Sequence, residues 1–90
     1  APAKEIVIVG MPEMEETKRL ITEVNQHFLP AKVLLFRPTH LENPEILQFA
    51  PFLKNHGLVK GKAAVYICED QTCQKPETSP LKLRKLLEKQ

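Results

Sequence analysis

Ile6-Val7-Ile8-Val9, closed by Gly10, is an unbroken β-branched run near the start of the chain. Two more apolar runs follow: Ala31-Lys32-Val33-Leu34-Leu35-Phe36, closed by Pro38, and Ala63-Ala64-Val65-Tyr66-Ile67-Cys68, closed by Glu69-Asp70-Gln71. None alternates apolar with polar, as a strand with one wet face would. Continuous runs of this length fit strands buried on both faces, which is the habit of parallel sheets. Three strands cannot supply that cover themselves, so helices must lie on the sheet.

The segment between the first two runs supplies one such helix. From Met14, apolar side chains recur at Leu20, Ile21, Val24 and Phe28, with Thr17 filling the gap, on one stripe at helical spacing. Glu15, Glu16, Lys18, Arg19, Glu23 and Gln26 take the opposite face, and Glu15 with Arg19 makes an i,i+4 pair. Pro12 suits the first turn, and Pro30 ends the connection. The next crossover is broken. Asn43-Pro44-Glu45 starts a helix that Pro51 interrupts, and Pro51 to Gly57 reads as a second short helix stopped by the glycine. Ile46, Leu47, Phe49, Phe52 and Leu53 are expected on the sheet. Gln74 to Thr78 reads as a loop or short edge strand, and Ser79-Pro80 caps a last helix with Leu81, Leu83, Leu86 and Leu87 apolar. The expectation is one α/β domain over residues 1–90. It is a small three-layer β-α-β-α-β-α unit with a three-stranded, mainly parallel sheet in the order 2-1-3, Ile6 to Val9 central.

Composition agrees with a single domain. Ninety residues, 42% of them hydrophobic and 27% charged, exclude a disordered tail. A net charge of +2 is too small to name nucleic acid or a membrane surface as a partner. No apolar run approaches the ~20 residues of a membrane span. The chain opens Ala-Pro-Ala-Lys, without an initiator methionine or a signal-peptide pattern, and reads as an excised piece of a longer protein. Two cysteines do not make a disulfide scaffold, so a cytoplasmic location is expected.

Few residues suggest chemistry. Gly10 follows a strand and precedes a helix, where nucleotide-binding folds hold phosphate. Pro12 and the crowd of Glu13, Glu15 and Glu16 oppose that use, so no cofactor is expected and Gly10 reads as a structural cap. Cys68 and Cys73 are the more specific feature, with Cys68 at the carboxyl end of an expected parallel strand. Three readings stay open. A redox dithiol needs a cation or helix N-terminus to stabilise a thiolate, and the pair has Glu69 and Asp70 instead. A zinc site needs two more ligands, and His27, His40 and His56 are scattered. A structural pair, Cys68 filling the strand end and Cys73 pinning a turn, asks for nothing further, and it leads. Lys82, Arg84, Lys85 and Lys89 occupy the non-leucine positions of the last helix without an interleaved aromatic, so they read as a solvated face and not a nucleic-acid surface. His27 and His56 suit helix C-termini.

Lys60-Gly61-Lys62-Ala63-Ala64-Val65-Tyr66-Ile67-Cys68, then Glu69 to Cys73 and the loop to Ser79-Pro80, carry a family likeness. So do Ile6 to Gly10, Thr17-Lys18, Phe28-Leu29-Pro30 with Lys32-Val33-Leu34, and Pro51-Phe52-Leu53. Together these resemble the C-terminal end of the thioredoxin-domain-containing family typified by spermatogenesis-associated protein 20 and its bacterial relatives. Gln71 stands where relatives tend to have an aromatic, and Thr78-Ser79-Pro80 where they tend to have Thr-Asp-Pro. The resemblance implies that a thioredoxin-like domain and a helical barrel precede a domain of this kind, and that any chemistry resides in those two parts. The expected role is therefore that of a non-catalytic accessory domain packing on the barrel of its parent, with an exposed apolar patch on one face. The alternative is a thiol site built from Cys68 and Cys73.

Overall fold

The sheet is built outward from its most apolar strand. In the computed structural model, which describes residues 4–27, 32–42 and 44–89, β1 spans Lys4–Gly10 and buries Ile6 through Val9 almost completely. The order along the chain is β1, α1 (Glu15–Asn25), β2 (Lys32–Pro38), α2 (Ile46–Phe49), a 3₁₀-helix (Pro51–Asn55), β3 (Ala64–Glu69), β4 (Thr72–Cys73) and α3 (Pro80–Glu88). The four strands form one sheet in the order β2-β1-β3-β4. The expected 2-1-3 order holds for the first three strands, but the sheet has a fourth, β4, beyond the three expected. The expectations for Phe28, Leu29, Pro30, Ala31 and Asn43 lie outside the described residues.

The mainly parallel sheet does not hold. β1 and β2 are parallel, with Ile6 opposite Leu34 and Ile8 opposite Phe36. β3 runs antiparallel to β1, with Val9 opposite Ala64 and Glu5 opposite Cys68, and β4 is antiparallel to β3. The reason lies in the broken crossover. A parallel β3 would have to begin beside Lys4, about 20 Å from the Gly10 end where β2 finishes. Pro51 has no N–H to continue a helix. Four residues of α2 rise only about 6 Å, and the 3₁₀ segment is a separate short rod. The chain therefore re-enters the sheet at the rim it left. There the Ala63 N–H donates to Glu16 Oε1 on the first turn of α1, at 3.3 Å. Burial on both faces, the property read from the sequence, carries no information about direction.

Three layers result. Ile6 and Ile8 with Val65 and Ile67 face α1 and α3, meeting Leu20, Val24, Leu83 and Leu87. Val7, Val9, Ala64, Tyr66 and Cys68 face the other way, onto Ala50, Leu53 and the flanks of Ile46, Leu47 and Phe52. Phe49 was expected in that layer but is 78% exposed. Leu81 on α3 is also exposed. β2 departs from two-sided burial as well: Val33 and Leu34 are about half exposed, 46% and 48%. A strand at the end of a sheet has a neighbour on one side only, so its apolar run is covered incompletely.

Local signals account for most helix ends. Pro12 sits in a turn and α1 begins at Glu15, with Met14 at the N-cap making no side-chain cap bond. Glu15 and Glu16 compensate by placing negative charge on the first turn. Glu15 pairs with Lys18 at 3.9 Å, not with Arg19. Ser79 caps α3, its Oγ accepting from Lys82 N at 3.4 Å with Pro80 in the first turn, as its sequence indicates. Gly57 does not take the left-handed conformation of a helix-stopping glycine; Gly61 does, at φ 78°.

Candidate functional site

The two cysteines meet at the tip of the β3–β4 hairpin. Cys68 and Cys73 are cross-strand partners, and their sulfurs are joined in a disulfide. The turn between them has two central residues, Asp70 (φ 53°) and Gln71 (φ 65°), both left-handed. That is the twist of a type I′ hairpin turn, which matches the twist of the flanking strands. Asp tolerates it through its short polar side chain; Gln has no such compensation. Beyond Cys73, Gln74 N donates to Ile67 O at 2.8 Å, and Glu77 and Val65 exchange both backbone bonds. The loop or edge strand expected there is a continuation of the hairpin.

Cys68 is fully buried and Cys73 is half-buried beside it. A depression of about 400 Å³ opens next to the bond, lined by Lys4, Glu69, Asp70, Thr72 and Gln74. Because β3 is antiparallel, this rim lies at the amino ends of β1 and β2, away from Gly10. The placement of Cys68 at the carboxyl end of a parallel set, and the ligand-site argument built on it, are corrected. Among the described residues no group of three or more His, Cys, Asp or Glu side chains is arranged to hold a metal ion.

Gly10 is explained by packing. A Cβ there would stand 2.5 Å from Thr17 Oγ1 and 2.9 Å from the Ala63 side chain. The glycine lets α1 and the start of β3 close on the end of β1.

A further polar cluster is one that the local pattern places on a wet surface. Glu23 is buried between α1 and α3, where Arg84 Nε donates to its Oε2 and Nη2 to its Oε1, each at 3.2 Å. His27 Nε2 lies 3.1 Å from Oε2. The Arg84 hydrogen bonds hold the Glu23 carboxyl below the usual carboxylate range, with burial opposing and His27 assisting. Arg84 is itself half-exposed, at 50%, but its guanidinium is paired with Glu23; Lys82, Lys85 and Lys89 are exposed beside it on α3. His56 Nδ1 donates to Phe52 O at 2.9 Å, and its ring stacks edge-on against Tyr66. Burial pushes the Tyr66 phenol up, and its hydroxyl donates to Gly57 O at 2.9 Å. His40 is exposed and stands apart.

These observations define a small α/β domain with a mixed four-stranded sheet, closed at one rim by a hairpin disulfide. No family model matches the chain, and no solved structure matches it. It is homologous to a segment of spermatogenesis-associated protein 20. Identity is 40% over 87 residues with the protein of Rattus norvegicus, 39% with that of Mus musculus and 36% with that of Homo sapiens. The match takes in 93% of this chain but only 10–11% of each relative, so the chain spans about a tenth of the length of these curated relatives. No helix among the described residues is long and apolar enough to cross a membrane.

Proposed function

We propose that this chain is a non-catalytic accessory domain, the C-terminal part of a longer thioredoxin-domain-containing protein, which packs on that protein's helical barrel and stabilises it. The observation that carries this reading is the 87-residue homology to a tenth of much longer relatives. Side-chain chemistry supports it. Glu23 and Arg84 neutralise each other between two helices, and the Tyr66 hydroxyl is committed to a backbone carbonyl. A cytoplasmic location belongs to the same proposal. Deleting this segment from the longer protein tests it: the remainder is expected to melt several degrees lower, and an unchanged melting temperature contradicts the reading.

One observation favours the alternative of a redox site, namely that the two sulfurs are bonded. The adjacent lining weighs against it, since Lys4 is outnumbered by Glu69 and Asp70, and net negative charge disfavours a thiolate. Thiol titration of the reduced chain separates the readings. A pKa well below about 8.5 supports the redox site, and a higher one the structural staple.

A further inference from the structure

The two edges of the sheet are finished differently. At the β4 edge the strand is two residues long and tied by the disulfide, and the chain continues through Lys75 and Pro76. A lysine and a residue without an N–H are devices that discourage another strand from adding. β2 carries the same devices at its ends, Lys32 at the start and Arg37 and Pro38 at the finish, but none along its middle. Seven residues long, it pairs only with β1 among the described residues, and it runs Val33-Leu34-Leu35-Phe36 without a charge. Val33 and Leu34 are about half exposed there. Between β2 and the end of α1 lies a depression of about 200 Å³, lined on its apolar side by Ile6, Val24, Val33 and Leu34 and on its polar side by Asn25, His27 and Lys32. On the opposite face α2 packs along β2 and leaves Phe49 exposed.

We propose that the outer edge of β2 receives an added β-strand from the rest of the longer chain. The occupant is an extended segment that continues the sheet by backbone hydrogen bonds and places an apolar side chain in the depression beside Leu34. This rests on the accessory-domain reading, and the length of the relatives supplies the source: some nine-tenths of each lies outside the matched segment. An open apolar edge of this length is a liability in a free domain and a docking device in a covered one.

Hydrogen exchange in the intact longer protein and in the isolated 90-residue chain tests the proposal. The alternate β2 amides turned away from β1 are expected to exchange about 100-fold more slowly in the intact protein. Equal rates there overturn the strand addition. If the separately made domain still binds the remainder, the accessory reading survives that result; if it does not bind at all, the accessory reading itself fails. Leu34→Lys, at a half-exposed site, is expected to weaken binding at least about tenfold without lowering the melting temperature of the domain. Leu81→Lys, on exposed α3, is the control and leaves binding unchanged. Equal loss from both variants, or a dimer of the isolated chain that the remainder fails to dissociate, overturns the proposal.

Discussion

Arg84 of α3 grips Glu23 of α1 through two hydrogen bonds of 3.2 Å, across 61 positions of sequence. Two parallel N–H donors on one carboxylate fix the relative rotation of the helices as well as their separation. Leu20 and Val24 below the pair, with Leu83 and Leu87 opposite, supply the apolar contact that the pair orients.

Removing that grip should show its sign in acid. Glu23 has its folded pKa held below the usual 4.5, so its contribution is present above about pH 4.5 and is lost as the pH falls through the folded value. Arg84→Met is expected to lower stability near neutral pH and to flatten the decline between roughly pH 5 and pH 3. Urea melts across that range read both effects. A wild-type acid limb kept unchanged in the variant would contradict the assignment.

Gly10→Ala is expected to destabilise the fold by about 1–3 kcal/mol, because the new methyl group meets Thr17 Oγ1 and Ala63. Adding Thr17→Ala removes the nearer obstacle and should restore part of the loss in a denaturant melt. No recovery would mean that the contact with Ala63 dominates.

Reducing the Cys68–Cys73 bond frees a loop of five-residue separation. The chain-entropy argument for so short a loop gives a loss of about 2 kcal/mol, or roughly 10 °C of melting temperature for a domain this size. Thermal melts with and without a phosphine reductant measure it.

Gln71→Gly should act in the opposite direction. Gln71 sits at φ 65° in the second position of a turn that favours glycine there. The gain is expected at about 0.5–1 kcal/mol after the greater freedom of glycine in the unfolded chain is set against it. Gly61→Ala, at φ 78°, should lose stability by a similar amount.

The parts of the fold readable in advance were those with a local cause. Ile6 to Val9 announced the central strand by composition, the Leu20-Val24 stripe announced α1 by period, and Ser79-Pro80 marked the start of α3. What escaped depended on contacts distant in sequence or on geometry without a residue signature. The direction of β3 follows from how far a helix broken at Pro51 can reach, and buried strands look alike either way up. The hairpin to β4 turns on Asp70 and Gln71 without the glycine that normally betrays such a turn. Glu23 looked solvated because its helical neighbours are charged, and only the docking of α3 buries it. The cysteine pair was visible by spacing, but its rim was misplaced together with the strand that carries it.

The most direct test of the accessory-domain account is isothermal titration of the 90-residue chain into the remainder of the longer protein. The account predicts saturable one-to-one binding, with the melting temperature of the remainder rising as the domain is added. Absence of heat and of any thermal shift, with both components folded, would contradict it.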